Sequence, residues 1–266
     1  MARHARIEVP GGWYYISNQG SSRKPLFRQP QDKLFFIDLL ADAHRRYGVV
    51  CHGYCLLKNS YHLLLNTPEP NLQRVMRHIN ALYTQYYNRE YRQQGSLFNA
   101  RYRSLLIDGT TLALPLSRYL HLMPVEAKEA VDGFNFNGSS CHHYISRGQP
   151  PEWFSTASAE PLKTRYKRAP YQSYLADLPE VDLGTFLETH RSGAVAGDTR
   201  FIKSMQRASE RKQPARSKKV RPLFKDIVEK TARHYRITPG SVMVSTRGRG
   251  VETPARSVAM YLCQEV

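Results

Sequence analysis

Apolar residues recur along this 266-residue chain with two different periods. Over residues 31–47 they fall at Leu34, Phe35, Ile37, Leu39, Leu40 and Ala43, a spacing that predicts an amphipathic helix ended near Gly48. Residues 71–91 repeat that spacing with a stripe of Leu72, Val75, Met76, Ile79, Leu82, Tyr83 and Tyr86. Between the two helices, residues 49–57 and 61–66 are short apolar runs joined by Lys58, Asn59 and Ser60, the pattern of a hairpin. Residues 12–17 (GWYYIS) and 102–108 read as further strands, and 18–24 as a polar, turn-forming loop. Residues 110–122 read as a helix stopped at Met123-Pro124, because proline disfavours helical geometry in the residue before it.

The resulting order is strand, helix, strand, strand, helix, strand, helix. That predicts an α+β fold: a ferredoxin-like split βαβ unit with one added helix. Residues 126–215 carry no clear period; they hold turn-rich stretches and a basic segment, KTRYKRAPYQSY. Residues 207–220 (RASERKQPARSKKV) read as an exposed linker, and 221–266 as mostly helical. The predicted organisation is a first domain at 1–150, a basic extension and linker at 151–220, and a small helical segment at 221–266.

Charge narrows the class of partner. Lys and Arg total 39 against 22 Asp and Glu, a net charge of +17 and a pI near 9.9. Such an excess favours a polyanion. No long basic amphipathic helix and no apolar run of membrane-spanning length stands out, so a membrane partner is not expected. The N-terminal MARHARIEVPGG lacks the apolar region of a secretory signal. Four cysteines, at 51, 55, 141 and 263, form no disulfide framework, which points to a reducing, cytoplasmic setting. Cys51 and Cys55 lie in a strand-like run with no matching second pair, so they read as buried strand residues rather than zinc ligands.

Four fragments lie in the order and spacing of one family: RIEVPGGWYYISNQGSSRKPLF, HGYCLLKNSYHLLLNTPEPNL, GSLFNARYRSLLID and LSRYLHLMPV. Over about the first 150 residues, and more loosely to about 210, the chain resembles the REP-associated tyrosine transposases, single-tyrosine members of the HUH superfamily of single-strand nucleases. In that family a His-hydrophobic-His motif on a central strand holds a divalent ion, Mg²⁺ or Mn²⁺, which polarises a scissile phosphate. A tyrosine on the last helix attacks and forms a 5′-phosphotyrosine link that preserves the bond energy for rejoining. The resemblance implies that Tyr119 is this nucleophile and that His62 is the second ligand. Ser60 stands where the first His belongs, and Met123 where relatives carry Asn or Gln one turn after the tyrosine. Ser96, in GSLF, replaces a common His. A hydroxyl is a weaker donor than imidazole and a thioether suits a hard cation poorly, so a weakened or absent metal site is expected. His121, two residues after Tyr119, points away from the tyrosine's helical face.

The resemblance also implies a hairpin or palindromic single-stranded DNA target. Arg23 and Lys24 after the first strand, Arg74 and Arg77 at i and i+3, and Arg89, Arg92, Arg101 and Arg103 around the loop before the last strand are positions suited to phosphate contacts. The segment LFKDIVEKTARHYRITPGSVMVSTRGRGVETPARSVAMYLCQE resembles the start of the DNA-binding domain of the replication initiator DnaA. That family's helix-turn-helix would follow Val266, so backbone or minor-groove contacts from Arg247, Arg249 and Arg256 are the expectation here. Two readings lead: a transposase-like enzyme that nicks and rejoins hairpin DNA, and a decayed or domesticated hairpin-binding protein without nuclease activity. His62 and Tyr119 favour the first; Ser60 and Met123 favour the second. An RNA-binding role on a ferredoxin-like sheet ranks third, since the paired aromatic signature of such modules is missing. Oligomeric state is not legible.

Overall fold

The computed structural model describes residues 7–21, 25–160, 162, 170–177, 191–212, 224–243 and 252–265. Contacts divide the chain into two compact units, Met1–Glu210 and Arg211–Val266.

The first unit is built on the predicted order: β1 (Gly12–Gln19), α1 (Pro30–Tyr47), β2 (Val50–Leu57), β3 (Ser60–Thr67), α2 (Leu72–Glu90), β4 (Arg103–Ile107) and α3 (Gly109–Glu126). β1 lies between β3 and β4, antiparallel to both, and β3 pairs antiparallel with β2. The spatial order β2-β3-β1-β4 is the ferredoxin-like arrangement, so the protein is α+β. Lys58 and Asn59 make the tight β2–β3 connection, with Leu57 opposite Ser60. Helix α1 begins with Pro30, whose missing N–H costs nothing in a first turn, and ends at Gly48 in the left-handed region (φ 68°), with its N–H on the His44 carbonyl.

Alternation along each strand sends side chains to two faces. Tyr14 and Ile16 of β1 with Tyr61, Leu63 and Leu65 of β3 face α1 and α2, forming the larger core with Phe36, Leu40, Met76, Ile79 and Tyr83. Trp13 and Tyr15 of β1, Leu64 of β3, and Leu105 and Ile107 of β4 face the other way, under Leu112, Leu116, Leu120 and Met123 of α3. The tyrosine stripe of α2 is packing and anchoring: Tyr83 and Tyr87 are buried, with their hydroxyls on the Leu26 and Pro25 carbonyls. Tyr86 and Tyr91 donate to the buried carboxylate of Asp32, which also receives the Arg28 and Gln29 backbone N–H groups.

Several expectations need correction. The first strand runs on to Gln19, so the 18–24 loop begins later; residues 22–24 lie outside the described residues. Helix α3 does not stop at Met123-Pro124 but continues to Glu126 with both Pro115 and Pro124 inside it. Met123 and Pro124 are buried on the helix, so tertiary packing overrides the local penalty. Residues 207–212, expected in a linker, belong to α6 (Thr199–Lys212), which follows α4 (Cys141–Ile145) and α5 (Pro170–Ala176). Phe201, Ile202 and Met205 pack α6 against the larger core.

The region without period has two structural tasks. Residues 138–155 cover the outer edge of β2: Leu56 N–H bonds Gly138 O, Ser140 N–H bonds Tyr54 O, Cys51 N–H bonds Trp153 O, and Ser155 N–H bonds Cys51 O. An edge strand is thereby closed to other chains. Two short strands, β5 (Arg191–Ser192) and β6 (Val195–Ala196), extend the opposite edge, β6 pairing parallel with β4. Cys51, Cys55 and Cys141 are buried and form no disulfide. Among the described residues, no helix is long and apolar enough to cross a membrane.

The second unit, described by itself, packs α7 (Phe224–Tyr235), α8 (Pro239–Met243) and α9 (Glu252–Glu265) around Ile227, Val228, Ala232, Val242, Ala255 and Ala259.

Candidate functional site

The α3-facing side of the sheet gathers the residues singled out on β3 and α3. His62 is the third residue of β3. Its Nδ1 lies 2.8 Å from the Tyr15 hydroxyl and its Nε2 lies 3.1 Å from Ser60 Oγ. Both partners follow from strand geometry. Ser60 is two residues back on the same face, and Tyr15 sits on β1 diagonally across, since Ser17 is directly opposite His62. Burial pushes the imidazole down to about 4, so His62 is neutral at pH 7 and one ring nitrogen donates while the other accepts. Tyr119, partly buried on α3, packs edge-on against Tyr15 with ring centroids 6.5 Å apart. Burial raises the Tyr15 phenol well above its ordinary value, with neighbouring Tyr119 and Cys55 adding to the effect. The sheet therefore brings Ser60, His62 and Tyr15 into one hydrogen-bonded chain, with Tyr119 beside its Tyr15 end.

Cross-strand register adds a member. Ser17 is opposite His62 on one side and opposite Arg103 on the other, while Cys55 faces His62 from β2. Cys55, His62, Ser17 and Arg103 thus form one row across four strands, all on the α3 side. Arg103 is the first residue of β4, within the predicted strand, and its side chain is exposed. None of the ion pairs among the described residues involves it.

Met123 is buried in the apolar cluster under α3. Ser96 is exposed and donates to the Phe98 carbonyl. His121 lies off the sheet-facing side of α3, fully buried, with Nδ1 on the Tyr171 hydroxyl (2.7 Å) and Nε2 on Ser140 Oγ (2.8 Å). It ties α3 to the segment that covers β2. Burial, then the neighbouring His142 and His143, push it down to about 3.

The donors that the resemblance assigns to the implied Mg²⁺ or Mn²⁺ are one imidazole (His62), one hydroxyl (Ser60) and one buried thioether (Met123). Both nitrogens of the imidazole already have hydroxyl partners. Hard divalent cations take several oxygen ligands, usually with carboxylates, and this set does not fit one. Among the described residues, no group of three or more His, Cys, Asp or Glu could hold a metal ion.

The arginines divide by layer. Arg101 and Arg103 lie at the start of β4, exposed. Arg74 and Arg77, also exposed, lie on α2, on the opposite layer of the sheet. Arg89 and Arg92 are exposed at the end of α2. Arg23, Lys24, Arg247 and Arg249 lie outside the described residues. Arg256, in the second unit, donates from Nη1 to the Met243 carbonyl. Sequence reasoning missed Tyr15 as the partner of His62; its alternation with Tyr14 marks its face, but the register with β3 does not follow from the local pattern.

No family model matches the chain, and no curated protein matches it. Solved structures similar to it include two transposases. One is a REP-associated tyrosine transposase bound to a REP hairpin, with 17% identity, a TM-score of 0.49, and coverage of 58% of this chain and 92% of that one. The other is a protein from Deinococcus radiodurans R1 assigned as a transposase, with 17% identity, a TM-score of 0.32, and coverage of 45% and 93%.

Proposed function

We propose that this protein is a transposase-like DNA-processing protein that binds hairpin or palindromic single-stranded DNA and nicks and rejoins it through a 5′-phosphotyrosine on Tyr119. The observation that carries the reading is the packing of Tyr119 against Tyr15, whose hydroxyl holds His62, on one face of the sheet. A nucleophile on a helix that is tied down over a rigid sheet is positioned at low entropic cost. The net charge of +17 supplies the general attraction for a polyanion. Arg101 and Arg103 are the exposed cations at the site-facing end of β4 and would engage phosphates there.

A second reading, hairpin binding without cleavage, is favoured by the donor set at Ser60, His62 and Met123. The test is a labelled DNA hairpin with single-stranded flanks, incubated with the full chain in Mg²⁺ or Mn²⁺ and scored for a covalent adduct on a denaturing gel. An adduct lost in Tyr119→Phe is the expected result. No adduct in the wild type, with hairpin binding intact and an adduct appearing in Ser60→His, would replace the first reading by the second.

A further inference from the structure

The poor donor set and the arrangement around it bear on how a phosphate could be activated at this site. A phosphodiester under attack gathers negative charge on its non-bridging oxygens, and something positive has to stand where that charge develops. His62 has both ring nitrogens engaged by hydroxyl partners and Ser60 carries only a hydroxyl, so neither places a free cation toward a phosphate. The register of the sheet does supply it. Arg103 lies in the same row as His62, one strand beyond Ser17, on the face that α3 and Tyr119 cover. It is exposed, it is outside every ion pair among the described residues, and its guanidinium presents a planar fork of donors suited to two phosphate oxygens.

We propose that cleavage at this site proceeds without a divalent cation, with Arg103 providing the charge that binds and stabilises the attacked phosphate opposite Tyr119. This rests on the nicking reading above and specifies its electrostatics. The Tyr119 oxygen forms the new bond to phosphorus as the bond from phosphorus to the 3′ oxygen breaks. The phenol gives up one proton and the leaving 3′ oxygen takes one, so no co-reactant is consumed. Ser60, His62 and Tyr15 remain a hydrogen-bonded chain that fixes the sheet side of the site. Rejoining is the same step reversed, with the same arginine holding the phosphate.

The experiment compares adduct formation by the full chain on the flanked hairpin in excess EDTA, in Mg²⁺ and in Mn²⁺, together with hairpin affinity by fluorescence anisotropy. Wild type is run beside Tyr119→Phe, Arg103→Ala and Arg103→Lys. The expected result is an adduct in EDTA at a rate within about twofold of that in Mg²⁺, abolished in Tyr119→Phe. Arg103→Ala should form it about 100-fold more slowly, the scale seen when one charge-stabilising donor is removed, with hairpin affinity changed only a few-fold. Arg103→Lys should recover part of the rate, which loss of fold would not produce. An adduct that requires Mg²⁺ or Mn²⁺ overturns this inference and leaves the nicking reading standing. An adduct in EDTA that is indifferent to Arg103→Ala overturns the role of Arg103. No adduct in any condition, with hairpin binding intact, overturns both this inference and the nicking reading.

Discussion

Lowering the pH from 7 to 5 should strip the first unit of a large part of its stability, chiefly through three deeply buried histidines that the fold keeps neutral, with half-buried His143 pushed down in the same direction. Burial pushes His52 and His62 down to about 4 and His121 to about 3, against an ordinary value of 6.5. In the unfolded chain each takes up a proton as pH falls through 6.5, whereas in the native protein each stays neutral until near its depressed value. Their stabilising contribution is therefore complete above about pH 7 and is lost progressively as pH falls toward 4. Integrating that difference from pH 7 to 5 gives just under ~2 kcal/mol per histidine, about 5–6 kcal/mol together. This is comparable with the whole stability of an ordinary domain. Near pH 5.5 the slope should be about 3–4 kcal/mol per pH unit. Urea titrations followed by tryptophan fluorescence read this unit alone, because the two tryptophans, Trp13 and Trp153, both lie in it. His121→Gln removes one of these titrating groups and should lower the slope by about 1 kcal/mol per pH unit. A loss below about 2 kcal/mol between pH 7 and 5, or a slope unchanged in His121→Gln, would refute the assignment of these histidines as buried neutral groups.

Three other outcomes follow from particular contacts. Asp32→Ala should cost about 3–5 kcal/mol in urea unfolding, since it strands the Arg28 and Gln29 N–H groups and two tyrosine hydroxyls that converge on one buried carboxylate; a cost under ~1 kcal/mol would show that water replaces it freely. Gly138→Ala places a Cβ 2.6 Å from the Leu56 carbonyl oxygen and should lower stability by about 1–3 kcal/mol, with no loss expected if the 138–155 segment is not held against β2. Arg101→Ala should reduce the salt dependence of hairpin binding by about one unit of slope, whereas Arg77→Ala, on the opposite layer, should leave it in place; the reverse ranking would put the DNA on the α2 side.

Local pattern determined much of this protein. The two helices flanking the β2–β3 hairpin, the hairpin itself and the strands β1 and β4 beyond it carry their own signal, because each buries a stripe or an alternate set of residues regardless of what covers it. The same alternation placed Ser60 and His62 on one face of β3. Local signals failed where packing outweighed them. Pro124 did not stop α3, since Met123 and Pro124 are buried on it, and the charged residues 207–212 stayed helical because Phe201, Ile202 and Met205 anchor their helix on the core. Two-residue strands such as β5 and β6 are too short to show any period, and the segment over β2 is recognised by backbone hydrogen bonds that any side chains could permit. Most of all, only the tertiary structure decided which side chains meet. A strand's sequence sets its faces, but a one-residue change of register would exchange them. The alignment of Arg103 with Ser17 and His62, and the reach of Tyr15 to the His62 ring, exist because β1 pairs with β3 and β4 in one register.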